Sequence, residues 1–194
     1  MYCYQCEQTG KGGCHTNVGV CGKDNKTAIF QDVLMFAVKG LAYYLNKMKG
    51  NSLIRLEHKI AIIEGLFTTV TNVNFDASRV KEVTRRISEM IDELRKNYSG
   101  MEDVPHIRKS EKFQFIDDDD LMLEFGETIS IEKRKEEVGR AVAGVEELII
   151  YGIKGLAAYA DHAYILGYTD EKLLDEIIEV IDFCKVQFLY NAIA

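Results

Sequence analysis

The chain has 194 residues, enough for one large domain or two small ones with a sizeable core. It carries 24 Lys and Arg against 31 Asp and Glu, a formal net charge of -7, which argues against nucleic acid or an anionic membrane as partner. Hydrophobic residues make up 47% with a single Pro, the profile of a folded, mostly helical protein, and no stretch approaches ~18 uninterrupted apolar residues, so no membrane span is expected.

Residues 1–26 are rich in Gly, Cys, Lys and Asn, carry no helical period, and read as a loop. A helical stripe then starts at Phe30 and continues through Val33, Leu34, Ala37, Val38, Leu41, Leu45 and Met48. A second follows with Leu56, Ile60, Ile63, Leu66, Phe67 and Val70, and a third with Val80, Val83, Ile87, Met90, Ile91 and Leu94, for which Asp76 is the natural N-cap. Three amphipathic helices with short connections bury their stripes against one another, so residues 27–98 predict a three-helix bundle.

Residues 99–130 contain Pro105, the acidic run Asp117 to Asp120 and little periodicity; they read as a linker or wrapped surface segment, with a short strand at Lys112 to Ile116 as one option. A second helical bundle, not necessarily complete, is expected over 131–194. Its stripes run through Val145, Leu148, Ile149, Leu156, Tyr159 and Ala163, then, after a cap at Thr169 or Asp170, through Leu174, Ile177, Ile181, Cys184 and Phe188. The fold class is thus all-α: a Cys-rich loop and two helical bundles joined by an acidic linker. An internal echo supports two related halves. QDVLMFAVKGLAYY (31–44) and EELIIYGIKGLAAY (146–159) share Lys-Gly-Leu-Ala and the final Tyr in register. Gly40 and Gly155 recur inside helices, where Gly costs roughly 1 kcal/mol relative to Ala, which implies a close helix–helix approach at both places.

Four of the five cysteines lie in the opening loop, spaced Cys3-x2-Cys6-x7-Cys14-x6-Cys21. The N-terminus has no basic region followed by an apolar segment, so a cytoplasmic placement is expected, and there disulfides rarely persist. A C-x2-C pair lets two thiolates reach one metal centre, and a Gly-rich spacer lets the chain wrap to bring the others. Four thiolates suit an iron–sulfur cluster or a tetrahedral zinc. Zinc modules more often pair two C-x2-C knuckles, whereas a cubane with one Cys per iron accommodates the uneven spacing. Iron–sulfur, zinc and a disulfide staple all stay open from residue types alone. His15 is a candidate hydrogen-bond donor to the centre or an alternative ligand. Cys184 lies on an apolar stripe and reads as a small core hydrophobe. His58, His106 and His162 form no helix-spaced metal pair, the carboxylates read as solvated helix faces, and no signature of nucleophilic catalysis is present.

The segments MYCYQCEQT, VGVCGKD and QDVLMFAVKGLAYY together resemble the start of hybrid-cluster proteins, also called prismane proteins or hydroxylamine reductases. GLFTTVTNVNFD (65–76) and YGIKGLAAYADHAYILGY (151–168) extend the resemblance in the same order over most of the chain. It implies a helical first domain of two three-helix bundles. It also implies that Cys3, Cys6, Cys14 and Cys21 each bind one iron of a 4Fe-4S cluster, a longer middle spacer going with relatives that carry 2Fe-2S. Fuller members continue into two α/β domains that hold the hybrid cluster through cysteines, a histidine and glutamates, where hydroxylamine or nitric oxide is reduced. Only Cys184 follows the loop here, so that ligand set is missing and no catalytic residue is assigned.

The expectation is therefore an iron–sulfur electron-transfer domain, a fragment or one chain of a split enzyme, not active alone. It would pass electrons from a redox donor such as a ferredoxin or flavoprotein to a hybrid-cluster-bearing domain or subunit. An apolar groove in an incomplete second bundle would make a homodimer credible. The alternatives are a zinc-binding structural or partner-binding helical module, and, more weakly, a small enzyme that reduces hydroxylamine by itself.

Overall fold

The computed structural model describes residues 3, 4, 6, 12–70, 74–98 and 110–184. The expected linker residues 99–109, with Pro105 and His106, lie outside that description, as does the expected continuation of the last helix to Phe188. Among the described residues are seven α-helices and no named strand: α1 (Asn25–Lys47), α2 (Leu56–Thr68), α3 (Ala77–Asn97), α4 (Asp119–Thr128), α5 (Ile131–Val138), α6 (Arg140–Ile165) and α7 (Glu171–Phe183). The all-α class expected from the sequence holds.

α1 is the central element, and its composition explains why. Apolar side chains surround it on nearly every side, and such a helix can only be stable when covered all round. By length and composition α1 would pass for a membrane span, yet 78% of its apolar window is buried inside the protein. It packs against α2, α3, α4 and α7. Asp24 caps its start, accepting the Thr27 N–H at 2.7 Å. α3 has a sharply divided pattern, and its buried face of Val80, Val83, Ile87, Ile91 and Leu94 lies on α1. Asp76 caps α3 as the sequence predicts, taking N–H bonds from Ser78 and Arg79.

Packing runs across the boundaries drawn on the sequence. One hydrophobic cluster joins Leu34 and Leu41 of α1 and Ile62 of α2 with Ile87 of α3, Met122 of α4, Ala157 of α6 and Ile177 and Ile181 of α7. The segment read as a linker contributes to it. Ser110–Lys112 form a single 3-10 turn, and Phe113 is buried edge-on to Phe36 with ring centroids 6.0 Å apart. No strand forms at Lys112 to Ile116; side chains hold the start of the segment instead. The Arg95 guanidinium donates to the Glu111 and Phe113 carbonyls, both at 2.8 Å, and the Tyr44 hydroxyl donates to the Glu111 carbonyl at 3.2 Å.

The acidic run is likewise structured rather than simply solvated. Asp118 caps α4 through the Leu121 N–H at 3.0 Å, and Asp119 and Asp120 occupy its first turn, where the helix dipole favours negative charge. Asp119 also pairs with Lys26 of α1 and, at 2.7 Å, with Lys81 of α3.

α6 differs from the sequence expectation in orientation. Ala143, Ile150, Lys154, Ala157 and Asp161 form its buried stripe, while Val145, Leu148, Leu156 and Tyr159 are exposed. The two copies of the internal echo thus meet opposite environments: Tyr44 is 0% exposed and Tyr159 is 79% exposed. Their glycines differ too. A Cβ on Gly40 would lie 2.3 Å from the Ser110 carbonyl oxygen and 3.2 Å from Ile91 Cδ1 of α3, so the close approach there is to the 3-10 turn and to α3 together. A Cβ on Gly155 would meet nothing within 4 Å, and the close approach expected at that glycine is absent.

Candidate metal centre

The N-terminal loop is held by a small number of backbone contacts. Cys3 and Cys14 face each other as an antiparallel bridge, the Cys3 N–H reaching the Cys14 carbonyl at 3.1 Å and the Cys14 N–H reaching the Cys3 carbonyl at 2.7 Å. Gly12, with φ of 74°, makes the turn into Cys14, and Gly22, with φ of 92°, makes the one that follows Cys21; both conformations are costly for other residues. The chain then pairs Val18 with Asp24 and enters α1 through the Asp24 cap. The loop is therefore fixed to the end of the central helix.

All four loop cysteines stand outside any disulfide and are half-buried. The Val20 N–H points at the Cys14 sulfur at 3.5 Å. The donor set fits a thiophilic metal centre: four thiols, one of them already accepting an amide N–H, on a turn-rich backbone. The described arrangement does not draw the sulfurs together, and among the described residues no three His, Cys, Asp or Glu side chains stand as a metal-holding group. The structure thus joins Cys3 to Cys14 through the backbone and leaves Cys6 and Cys21 on the same loop. His15 is exposed.

Sequence reading missed what lies beneath the loop. Lys23, two residues after Cys21, is 1% exposed, and its ammonium donates to the Gln31 side-chain oxygen at 2.7 Å. The Gln31 amide donates in turn to the carbonyls of Thr68 and Asn74, tying the loop to the end of α2 and the approach to α3. Asp32, one residue on, is pushed up to about 6 by burial, opposed by the charges of Lys154, Arg134 and Lys23. Glu147 is pushed up to about 7 by burial, with Lys154 opposing the shift. Lys154 itself is 5% exposed and is pushed down to about 8 by burial, while Glu147, Asp32 and Cys3 act to hold its proton. Arg134 of α5 completes the group by pairing with Glu147 and, at 3.3 Å, with Glu146.

Two of the carboxylates expected on solvated faces, Asp32 and Glu147, are therefore partly buried and interact with Lys154 and Arg134. A signal for this existed. The echo repeats an acid seven residues before its Lys, Asp32 with Lys39 and Glu147 with Lys154, and seven residues put both on one helix face.

The other candidates have structural roles. His58 is buried at the start of α2, where its Nδ1 accepts the Arg55 N–H at 3.1 Å; burial first, and Arg55 next, hold its pKa below the usual histidine range. His162 stands edge-on to Phe67 at 5.1 Å. Cys184 is 3% exposed and burial pushes its thiol up to about 11, as suits the core position read from the sequence.

The family model described as Prismane/CO dehydrogenase family matches residues 1–187. A hydroxylamine reductase of Rhodospirillum rubrum is 38% identical over 186 residues, covering 93% of this chain and 34% of the relative. Those of Acidiphilium cryptum and Caldanaerobacter subterraneus are 38% and 33% identical, each over 94% of this chain and 34% and 35% of the relative. The chain thus spans about a third of the length of the curated relatives it matches. With the match running over nearly all of its helices and its cysteine loop, the chain belongs to the Prismane/CO dehydrogenase family.

Proposed function

We propose that this chain is the iron–sulfur electron-transfer part of a hydroxylamine-reductase-type protein, with Cys3, Cys6, Cys14 and Cys21 as ligands of a 4Fe-4S cluster. One observation carries the reading: four cysteines outside any disulfide share one short loop in which Cys3 and Cys14 are backbone-paired and the Cys14 sulfur accepts an N–H. When bound, the cluster would accept one electron from a donor protein of ferredoxin or flavoprotein type and release one to an acceptor.

The chain's own residues supply position and environment. Gly12 and Gly22 turn the backbone so that its cysteines can converge, and the Asp24 cap and the Lys23–Gln31 bond fix the loop to α1. The Val20 N–H supports negative charge on the Cys14 sulfur, and such hydrogen bonds raise the potential of a thiolate-ligated centre.

The reduction of hydroxylamine or nitric oxide belongs, in this reading, to a hybrid-cluster-bearing domain or subunit corresponding to the unmatched two-thirds of the relatives. A cytoplasmic placement, where thiols stay reduced, goes with it. Anaerobic reconstitution of the chain with iron and sulfide tests the proposal. The expected result is broad visible absorption that bleaches on reduction with dithionite and is lost in Cys14→Ser; a reconstituted wild-type chain with no such absorption refutes it.

A further inference from the structure

We propose that the outward face of α6 is a contact between two copies of this chain, paired antiparallel about a two-fold axis between Tyr151 and Gly152. The proposal is independent of the iron–sulfur reading, which gives this surface no role.

The polarity of α6 is reversed for a helix facing water. Between Ala141 and Ile165 its acidic and basic residues are Glu146, Glu147, Lys154 and Asp161. Lys154 and Asp161 are buried, and both glutamates pair with Arg134 of α5. The outward side carries Val145, Leu148, Tyr151, Leu156, Tyr159 and Leu166, which are 47%, 72%, 48%, 39%, 79% and 74% exposed. At about 100° per residue these six lie within roughly 140° of the helix circumference. No Asp, Glu, Lys or Arg falls on that arc. A surface helix normally shows the opposite arrangement. Other exposed large apolar residues, such as Leu56, Leu121 and Phe183, lie on separate helices.

The amount of apolar surface suits a dimer. At ~200 Å² for a whole aromatic side chain and ~100 Å² for an aliphatic one, the six leave on the order of 500 Å² open. A stable interface takes about 800 Å² from each partner, and in homodimers about 65% of that, or ~520 Å², is apolar.

Shape selects a second α6 as the occupant. Gly144, Gly152 and Gly155 share the outward face, and a Cβ on any of them would meet nothing within 4 Å, so each leaves a hollow. The matching glycine of the first echo copy, Gly40, has its hollow filled from within the chain by Ser110 and Ile91. In an antiparallel copy centred between Tyr151 and Gly152, Leu148 comes opposite Gly155 and Tyr159 comes opposite Gly144. Large side chains of each copy thus fall on glycines of the other, the self-complementarity that a two-fold contact requires. A partner with a charged face would leave its charges unpaired against this stripe. Each copy carries a net charge of -7, and that repulsion works against assembly. Half-assembly is therefore expected in the tens of micromolar, so that at about 1 µM substitutions at Leu148 and Gly155 act on the monomer.

The test is sedimentation equilibrium of the whole chain from about 1 to about 300 µM, a range that brackets this affinity. The samples are wild type, Leu148→Glu, Gly155→Lys, an equimolar mixture of those two, Tyr159→Ser, and Leu121→Glu as a control on α4. Wild type is expected to pass from the monomer mass to twice that mass. Leu148→Glu and Gly155→Lys should each weaken assembly at least about tenfold, because a charge enters an apolar contact. The mixture should recover at least about tenfold over either alone, because the two new charges then face each other. Tyr159→Ser, which adds no charge and reads the same contact should a charged variant not fold, is expected to weaken assembly about threefold or more, and Leu121→Glu to change it less than about twofold. A wild-type chain that stays monomeric throughout overturns the proposal; if it also binds an apolar dye that Leu148→Glu releases, the face belongs to a different partner. Assembly unchanged in Leu148→Glu, Gly155→Lys and Tyr159→Ser overturns it as well, and a mixture no tighter than either variant alone overturns the antiparallel pairing.

Discussion

The two glycines of the internal echo offer a paired perturbation in which the same substitution should act in opposite directions. Gly→Ala inside a helix gains roughly 1 kcal/mol from backbone entropy when the added methyl meets nothing. At Gly155 it meets nothing within 4 Å, so Gly155→Ala should raise stability by up to about 1 kcal/mol. At Gly40 the methyl would stand 2.3 Å from the Ser110 carbonyl oxygen, 2.9 Å from its carbon and 3.2 Å from Ile91 Cδ1. Two of those three are backbone atoms, and the 3-10 turn that carries them is held by Arg95 and Tyr44 through the neighbouring Glu111. Overpacking of this kind costs about 1–3 kcal/mol, which exceeds the propensity gain. Gly40→Ala should therefore lose up to about 2 kcal/mol net. Urea unfolding followed by circular dichroism measures both. A Gly40→Ala midpoint at or above wild type would refute the packing described around Ser110, and a Gly155→Ala loss above about 1 kcal/mol would refute the openness of α6.

Three further outcomes follow from the same geometry. Asp32 keeps its proton to about pH 6 when folded, against a usual 3.8, so the folded state holds the extra proton in that window and stability falls as pH rises through it. Between pH 5 and 7.5 the loss is about 1 kcal/mol, and Asp32→Asn should flatten that part of the stability profile; parallel profiles would count against the buried position. Removing the α4 cap in Asp118→Ala should cost about 1 kcal/mol, seen as a lower urea midpoint, whereas Asp117→Ala, whose side chain caps no helix, should cost less than about 0.5 kcal/mol. Leu41→Ala, at the fully buried centre of α1, should cost about 2–5 kcal/mol by the same assay, while Leu148→Ala on the exposed face of α6 should change stability by less than about 0.5 kcal/mol.

Local signals carried most of the helical layout. The stripes of α1, α2 and α3 could be read from their spacing, and Asp76 and Asp170 were recognisable as caps from their place before apolar runs. What escaped depended on partners far away in sequence. The four aspartates 117–120 read as solvated charge because the lysines that stabilise the start of α4, Lys26 and Lys81, lie 93 and 38 residues before Asp119. α6 has apolar or small side chains on two faces, so periodicity alone could not tell that Ala143, Ile150 and Ala157 point inward while Val145, Leu148 and Tyr159 point outward. The candidate ligands were legible because cysteine chemistry is local. The charge cluster was legible only through the acid-to-Lys spacing of the echo, since it takes Lys23 from the loop, Asp32 from α1, Arg134 from α5 and Glu147 and Lys154 from α6.

The central claim is that the four loop thiols hold an iron–sulfur cluster, and metal and acid-labile sulfide analysis of the anaerobically purified chain tests it most directly. The account predicts about four iron and four sulfide per chain, falling in each of Cys3→Ser, Cys6→Ser, Cys14→Ser and Cys21→Ser and unchanged in Cys184→Ser. About one zinc per chain with no labile sulfide would contradict it.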